Sequence, residues 1–134
     1  MGHGNFVLCE GCGYQREFML GVGMMYGTLQ NILEFMDKRS SDEVLKILSE
    51  YPDPHYETDG HCIYQCRECS SIQEKLHLLI YDKEEKLIYQ TKSNCSKCKI
   101  KRKRVQEKNG LLHQLICPKC KNKELFVNGG LCWD

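Results

Sequence analysis

The sequence predicts an α+β fold in which small antiparallel β hairpins accompany a pair of helices. Three observations predict it. Eight of the ten cysteines stand in four Cys-x-x-Cys pairs, two segments carry apolar residues at helical spacing, and short runs of strand formers flank polar turns. Hydrophobic residues make up 41% of the 134 positions and aromatics 9%, an interior thin enough to call for staples.

The spacing of the cysteines says which staple. Cys9/Cys12, Cys66/Cys69, Cys95/Cys98 and Cys117/Cys120 each hold two sulfurs two residues apart. Such a pair makes a poor structural disulfide, but its thiolates turn easily toward one ion. Two pairs complete a tetrahedral four-thiolate site, so four pairs predict two metal ions, and the all-sulfur ligand set predicts zinc. A closed site of this kind has no open coordination position to activate water, so its role is cohesion and no enzyme is expected. A redox dithiol would want its first cysteine at a helix N-terminus, and none of the four is placed so.

The last two pairs form C-x2-C-x18-C-x2-C, the spacing of a zinc ribbon. Cys95 and Cys98 are therefore expected to close with Cys117 and Cys120, which leaves Cys9 and Cys12 for Cys66 and Cys69. The expected architecture is two zinc ribbons with a helical hairpin inserted in the first. Residues 1–91 would hold the N-terminal ribbon, the insertion and a following β hairpin, and residues 92–134 a basic C-terminal ribbon.

The elements follow in order. His3 to Leu8 reads as a strand entering the first knuckle, where Gly13 suits a positive φ, and Gln15 to Leu20 returns. Gly21 to Gly27 is an apolar turn whose Met24, Met25 and Tyr26 would serve either as a backbone connection or as a patch for a partner. Thr28 caps a helix with Leu29, Ile32, Leu33 and Met36 on one face, and Ser41 caps another with Val44, Ile47, Leu48 and Tyr51. Pro52 and Pro54 end it and open a loop through Gly60. His61 to Gln65 leads to the second knuckle. Leu76 to Tyr81 and Leu87 to Thr91 flank a polar turn and read as a hairpin. Ile100 to Glu107 and Leu111 to Ile116 flank Asn109-Gly110, the strongest short hairpin signal. The tail from Gly129 is expected to be mobile apart from Trp133.

Charge is segregated beneath a net value of +1. Residues 92–124 hold eleven Lys/Arg against Glu107 and Glu124, while the remainder holds eight basic and sixteen acidic residues. The run Lys99, Lys101, Arg102, Lys103 and Arg104 alternates along a strand, so both faces of the ribbon would present cations. That pattern suits contact with nucleic-acid phosphates, or with an acidic protein surface such as the acidic half of a second copy in a homo-oligomer. A charged edge that discourages strand aggregation would look the same. No small-molecule substrate is indicated. No basic-then-apolar leader and no apolar run of about 18 residues occurs, and Phe6 breaks the myristoylation pattern, so no membrane association and a reducing cytoplasmic setting are expected.

The remaining features carry little chemistry. His55-Tyr56-Glu57 before Cys66/Cys69 echoes the deaminase pattern but lacks its spacing and its proline. Gly21 to Gly27 lacks the Lys-Ser/Thr of a phosphate loop. Cys62 fits a small buried residue or, with His61, a substitute ligand, and Cys132 a free thiol.

Phe6 through Tyr14 resembles the first knuckle of rubredoxin, and Cys117-Pro118-Lys119-Cys120 its second. That resemblance implies one iron held by four cysteines and a role in electron transfer. The opening Cys-x-x-Cys-Gly-Tyr followed by Leu20-Gly21-Val22-Gly23-Met24, with a second ribbon after it, is similar to a group of uncharacterised bacterial tandem zinc-ribbon proteins. It implies two ribbons and no particular activity.

Overall fold

A computed structural model describes residues 2–21 and 28–133, and of residues 130–133 the backbone alone. Its elements are β1 (Gly2–Leu8), β2 (Gln15–Gly21), α1 (Leu29–Glu34), α2 (Lys38–Glu50), β3 (His55–Gln65), β4 (Ile72–Tyr81), β5 (Leu87–Gln90), β6 (Lys103–Arg104), β7 (Glu107–Lys108), β8 (Leu111–Leu112) and β9 (Phe126–Trp133). One antiparallel sheet runs in the order β5-β4-β3-β2-β1-β9, with β6 added to β3, and β7 pairs with β8 apart from it. The result is a mostly antiparallel α+β structure.

Alternation along the strands divides the interior into two cores. Val7, Phe18, Leu20 and Ile63 pack with Val105, Leu112, Leu115 and Leu125, and this cluster includes Cys9 and Cys117. Leu76, Leu78 and Ile80 of β4 and Tyr89 of β5 instead meet Ile32 of α1 and Val44 of α2. The helices therefore cover the β4-β5 wing of the sheet, and the cysteine-rich segments cover the β1-β2-β3 wing.

Several expectations change. Thr28 caps α1 as its sequence suggests, accepting from the Asn31 N–H at 3.2 Å. The cap of α2 is Asp37, which accepts from the Ser40 N–H at 2.9 Å, and Ser41 lies inside the first turn. An Asp four residues ahead of Ser41 satisfies the orphan donors earlier, so the helix starts sooner. The expected loop through Gly60 is already strand from His55, paired with β4 across a bulge between Thr58 and Gly60. The tail is a strand rather than mobile: β9 lies antiparallel on β1, where β1 would otherwise leave an open edge.

The basic hairpin is shorter than expected. Asn109 and Gly110 turn with φ of 55° and 79°, as Asn-Gly should, but the flanking strands β7 and β8 are two residues each. Neighbouring backbone finds partners elsewhere: Arg102 N–H donates to Ser93 O, Val105 N–H to Ile63 O, and Leu125 N–H to Leu115 O. A buried Asn5 pins this hairpin to β1, donating to Gly110 O at 3.0 Å and accepting from the Leu112 N–H at 2.8 Å. Of the apolar Gly21–Gly27 turn, residues 22–27 lie outside the described residues, as does the side chain of Cys132. Among the described residues no helix is long and apolar enough to cross a membrane.

Candidate metal centres

The four knuckles share one backbone design. In each, the first cysteine's carbonyl accepts from the N–H four residues on: Gly13, Ser70, Lys99 and Lys121 donate to Cys9, Cys66, Cys95 and Cys117 at 2.8–3.0 Å. Each of those donors is left-handed, with φ of 78°, 61°, 60° and 62° in that order. The first cysteine's own N–H donates onward, to Tyr14, Ser71, Ile100 and Lys123. Only Gly13 announces this conformation by residue type. The other three hold it with side chains that favour it less, at a cost of about 1–2 kcal/mol each.

Tertiary structure pairs the knuckles differently from the sequence expectation. Cys9 and Cys12 meet Cys117 and Cys120, and Cys66 and Cys69 meet Cys95 and Cys98; within each group the sulfurs all lie within 4.8 Å of one another. Sulfur–sulfur distances include 3.7 Å for Cys9–Cys120, 3.5 Å for Cys12–Cys117 and 3.6 Å for Cys69–Cys95. A tetrahedral ion with metal–sulfur bonds of about 2.3 Å sets its ligands about 3.8 Å apart, so both groups fit a metal ion. None of the described cysteines is disulfide-bonded.

The correction has a physical cause. Ribbon spacing fits Cys95–Cys120, but β3 runs directly into Cys66 and captures the following segment through β6, which brings Cys95 to Cys69. The β1–β9 pairing brings the last knuckle beside the first. One site is thus nested inside the other, and both bridge the expected boundary at residues 91 and 92. The helices are inserted between β2 and β3, in the span that separates Cys12 from the inner site.

Like charge splits the sulfurs of each site. The Cys12 N–H at Cys9 holds that thiol down at about 6. The Tyr14 N–H favours a thiolate at Cys12, yet burial and the Cys117 and Cys9 sulfurs push it up to about 11. In the inner site the Cys98 N–H holds Cys95 at about 6, while the Cys69 sulfur, burial and the Cys66 sulfur push Cys98 up to about 12. Four thiolates this close do not ionise together without a cation among them.

The surroundings involve residues that sequence reasoning placed elsewhere or missed. Arg102 donates from Nε to Ser71 Oγ at 3.2 Å and from Nη1 to Asn94 O at 2.9 Å. Ser71 Oγ in turn lies 3.2 Å from Cys69 Sγ and 3.6 Å from Cys95 Sγ. Arg104 donates to Asp59 Oδ2 at 2.8 Å. The expectation that both faces of the basic run are free is therefore half corrected: Lys99, Lys101 and Lys103 are exposed, whereas Arg102 and Arg104 are half-buried and engaged. β6 turns Arg104 inward against β3 and leaves Lys103 outward, while the hydrogen bonds to Ser71 and Asn94 hold Arg102 in place.

Gln65 was not singled out by any motif, yet it joins the two centres. It is buried, it donates to Ser70 O at 3.0 Å and Ile116 O at 2.7 Å, and it accepts from the Ile116 N–H at 3.1 Å. Ser70 belongs to the second knuckle and Ile116 enters the fourth. Its position just before a knuckle cysteine was the one available hint.

Cys62 is buried and belongs to neither sulfur group, and burial, moderated by Arg104, pushes its thiol up to about 11, which suits an inert core residue. His55 and Glu57 are exposed on β3, and ten extended residues, roughly 33 Å, separate His55 from Gln65 and the knuckle beyond. No family model, no curated protein and no solved structure matches the chain.

Proposed function

We propose that the protein is a non-enzymatic binding module, stapled by two zinc ions, that holds nucleic acid through phosphate contacts. The observation that carries the reading is the exposure of Lys99, Lys101 and Lys103 on the segment that is richest in uncompensated positive charge. Both sulfur groups are closed four-thiolate sets, which suit cohesion and leave no position for a substrate. A reducing compartment keeps such thiols available to metal, in keeping with a cytoplasmic protein. Lysines on flexible stems meet phosphates as point charges, so binding is salt-sensitive and carries little sequence preference.

The test changes Lys99, Lys101 and Lys103 together to Glu. Retention of the zinc-loaded protein on immobilised nucleic acid at low salt is expected to vanish, with the metal-to-protein ratio held at two. Retention equal to the unmodified protein's would overturn the reading.

A second reading is a rubredoxin-like electron carrier with iron in the outer site. What favours it is the meeting of Cys9 and Cys12 with Cys117 and Cys120, the two knuckles whose sequences resemble rubredoxin's. Protein purified with iron would be red and would bleach reversibly with a reductant. Colourless protein with two equivalents of zinc would exclude it.

A further inference from the structure

Two grooves lie beside the inner metal centre, and they share no lining residue. The first, about 380 Å³, is walled by Lys97 from the third knuckle and by Pro118 and Lys121 from the fourth, with Tyr14, Arg16 and Ile72 between them. The second, about 370 Å³, includes Arg67, Lys103, Arg104 and His113. Among the described residues no carboxylate lines either groove, although the chain carries 18 Asp and Glu against 19 Lys and Arg. Of the six Lys and Arg that line the two grooves, Arg16 and Arg67 come from outside the basic C-terminal segment.

The first groove has a second quality. Arg16 lies over the Phe18 ring at 4.6 Å and is 4.0 Å from Glu74, which holds its guanidinium at the groove's edge. Tyr14 is half-exposed and packs against the core that contains Cys9 and Cys117. Its aromatic ring shares the groove with Ile72 and Pro118 and with cations at 16, 97 and 121, which combines a stacking surface with phosphate partners. Positive grooves with aromatic floors are how single strands are held, because an unpaired base offers its face and a duplex hides it.

We infer that a single-stranded nucleic acid crosses the junction between the two metal centres, with one base on Tyr14 and flanking phosphates on Arg16, Lys97 and Lys121. The inference rests on the nucleic-acid reading above and specifies its ligand and its path. The walls of the groove belong to knuckles of both the outer and the inner site.

The experiment measures anisotropy of a labelled mixed-sequence 12-nucleotide single strand, its duplex, and polyglutamate with the full zinc-loaded chain. The single strand is expected to bind at least tenfold tighter than the duplex, and polyglutamate not to compete. Arg16→Ala with Lys97→Ala should flatten the logarithmic salt slope by about 1.4, two contacts at about 0.7 each. Tyr14→Leu keeps an apolar residue on the core and should weaken binding about tenfold with the slope unchanged; a metal-to-protein ratio of two certifies the fold of each variant. If the protein binds no nucleic acid at all, both this inference and the reading beneath it fall. If it binds but prefers the duplex, or if the groove variants bind as the unmodified protein does while the Lys99/Lys101/Lys103 variant does not, the groove is refuted and the broader reading stands.

Discussion

Replacing Cys9 and Cys12 together by Ser tests the nested pairing directly. The structure expects the metal-to-protein ratio to fall from two to one, with the remaining ion on Cys66, Cys69, Cys95 and Cys98. Alkylation followed by peptide mapping should then label Cys117 and Cys120, while the inner four stay protected. Pairing by proximity in sequence would instead liberate Cys66 and Cys69, and label there would refute the geometry. The energetic consequence is unequal between sites. Cys12 and Cys117 are 105 residues apart, whereas Cys69 and Cys95 are 26 apart. With loop-closure entropy growing as (3/2)RT ln n, the outer site costs about 1.2 kcal/mol more to close from an unfolded chain, roughly an eightfold weaker hold. In a chelator titration under partly denaturing conditions, the outer ion should therefore leave first. Release of the inner ion first would contradict the argument.

Other perturbations read different parts of the structure. Gln65→Ala strips three hydrogen bonds and leaves the buried Ser70 C=O and the part-buried Ile116 N–H and C=O without that partner, so thermal or denaturant unfolding should show a loss of about 2–3 kcal/mol. Lys99→Gly relieves a left-handed residue at φ 60° and should raise stability by about 0.5–1 kcal/mol in the same assay, whereas Lys99→Val should lower it. Arg102→Ala removes the donor behind Ser71 and should cost about 10–100-fold in affinity at the inner site alone, measured by competition with a metal indicator. Zinc binds deprotonated sulfur, so acid opposes it: with Cys12 held up at about 11 and Cys98 at about 12, loading at pH 7 should expel at least one proton per site. Calorimetry in two buffers of different ionisation enthalpy counts them, and a count of zero would contradict the raised thiols.

What could be read from the chain was local. The Cys-x-x-Cys pairs, the Thr28 cap, the β1–β2 return and the Asn109-Gly110 turn each rest on a few adjacent residues, and each is present. The pairing of knuckles was not legible, because every knuckle offers the same two sulfurs and chain separation is a weak discriminator. What decides it is sheet order: β9 beside β1 and β6 on β3, both long-range pairings with no signature in their own residues. The inward turn of Arg104 follows from β6 as well, and that of Arg102 from its bonds to Ser71, Ser93 and Asn94, which is why alternation alone left them free. The left-handed Ser70, Lys99 and Lys121 were hidden for a different reason: only glycine advertises that conformation, and three of the four knuckles do without it.

The sheet order also governs what a ribosome must wait for. Cys9 is made more than a hundred residues before its partners Cys117 and Cys120. Translation at about 5–20 residues per second leaves the first knuckle without its mates for several seconds at least. During that interval the inner site can mature alone, and the first knuckle is the stretch most open to oxidation or to capture by a wrong neighbour.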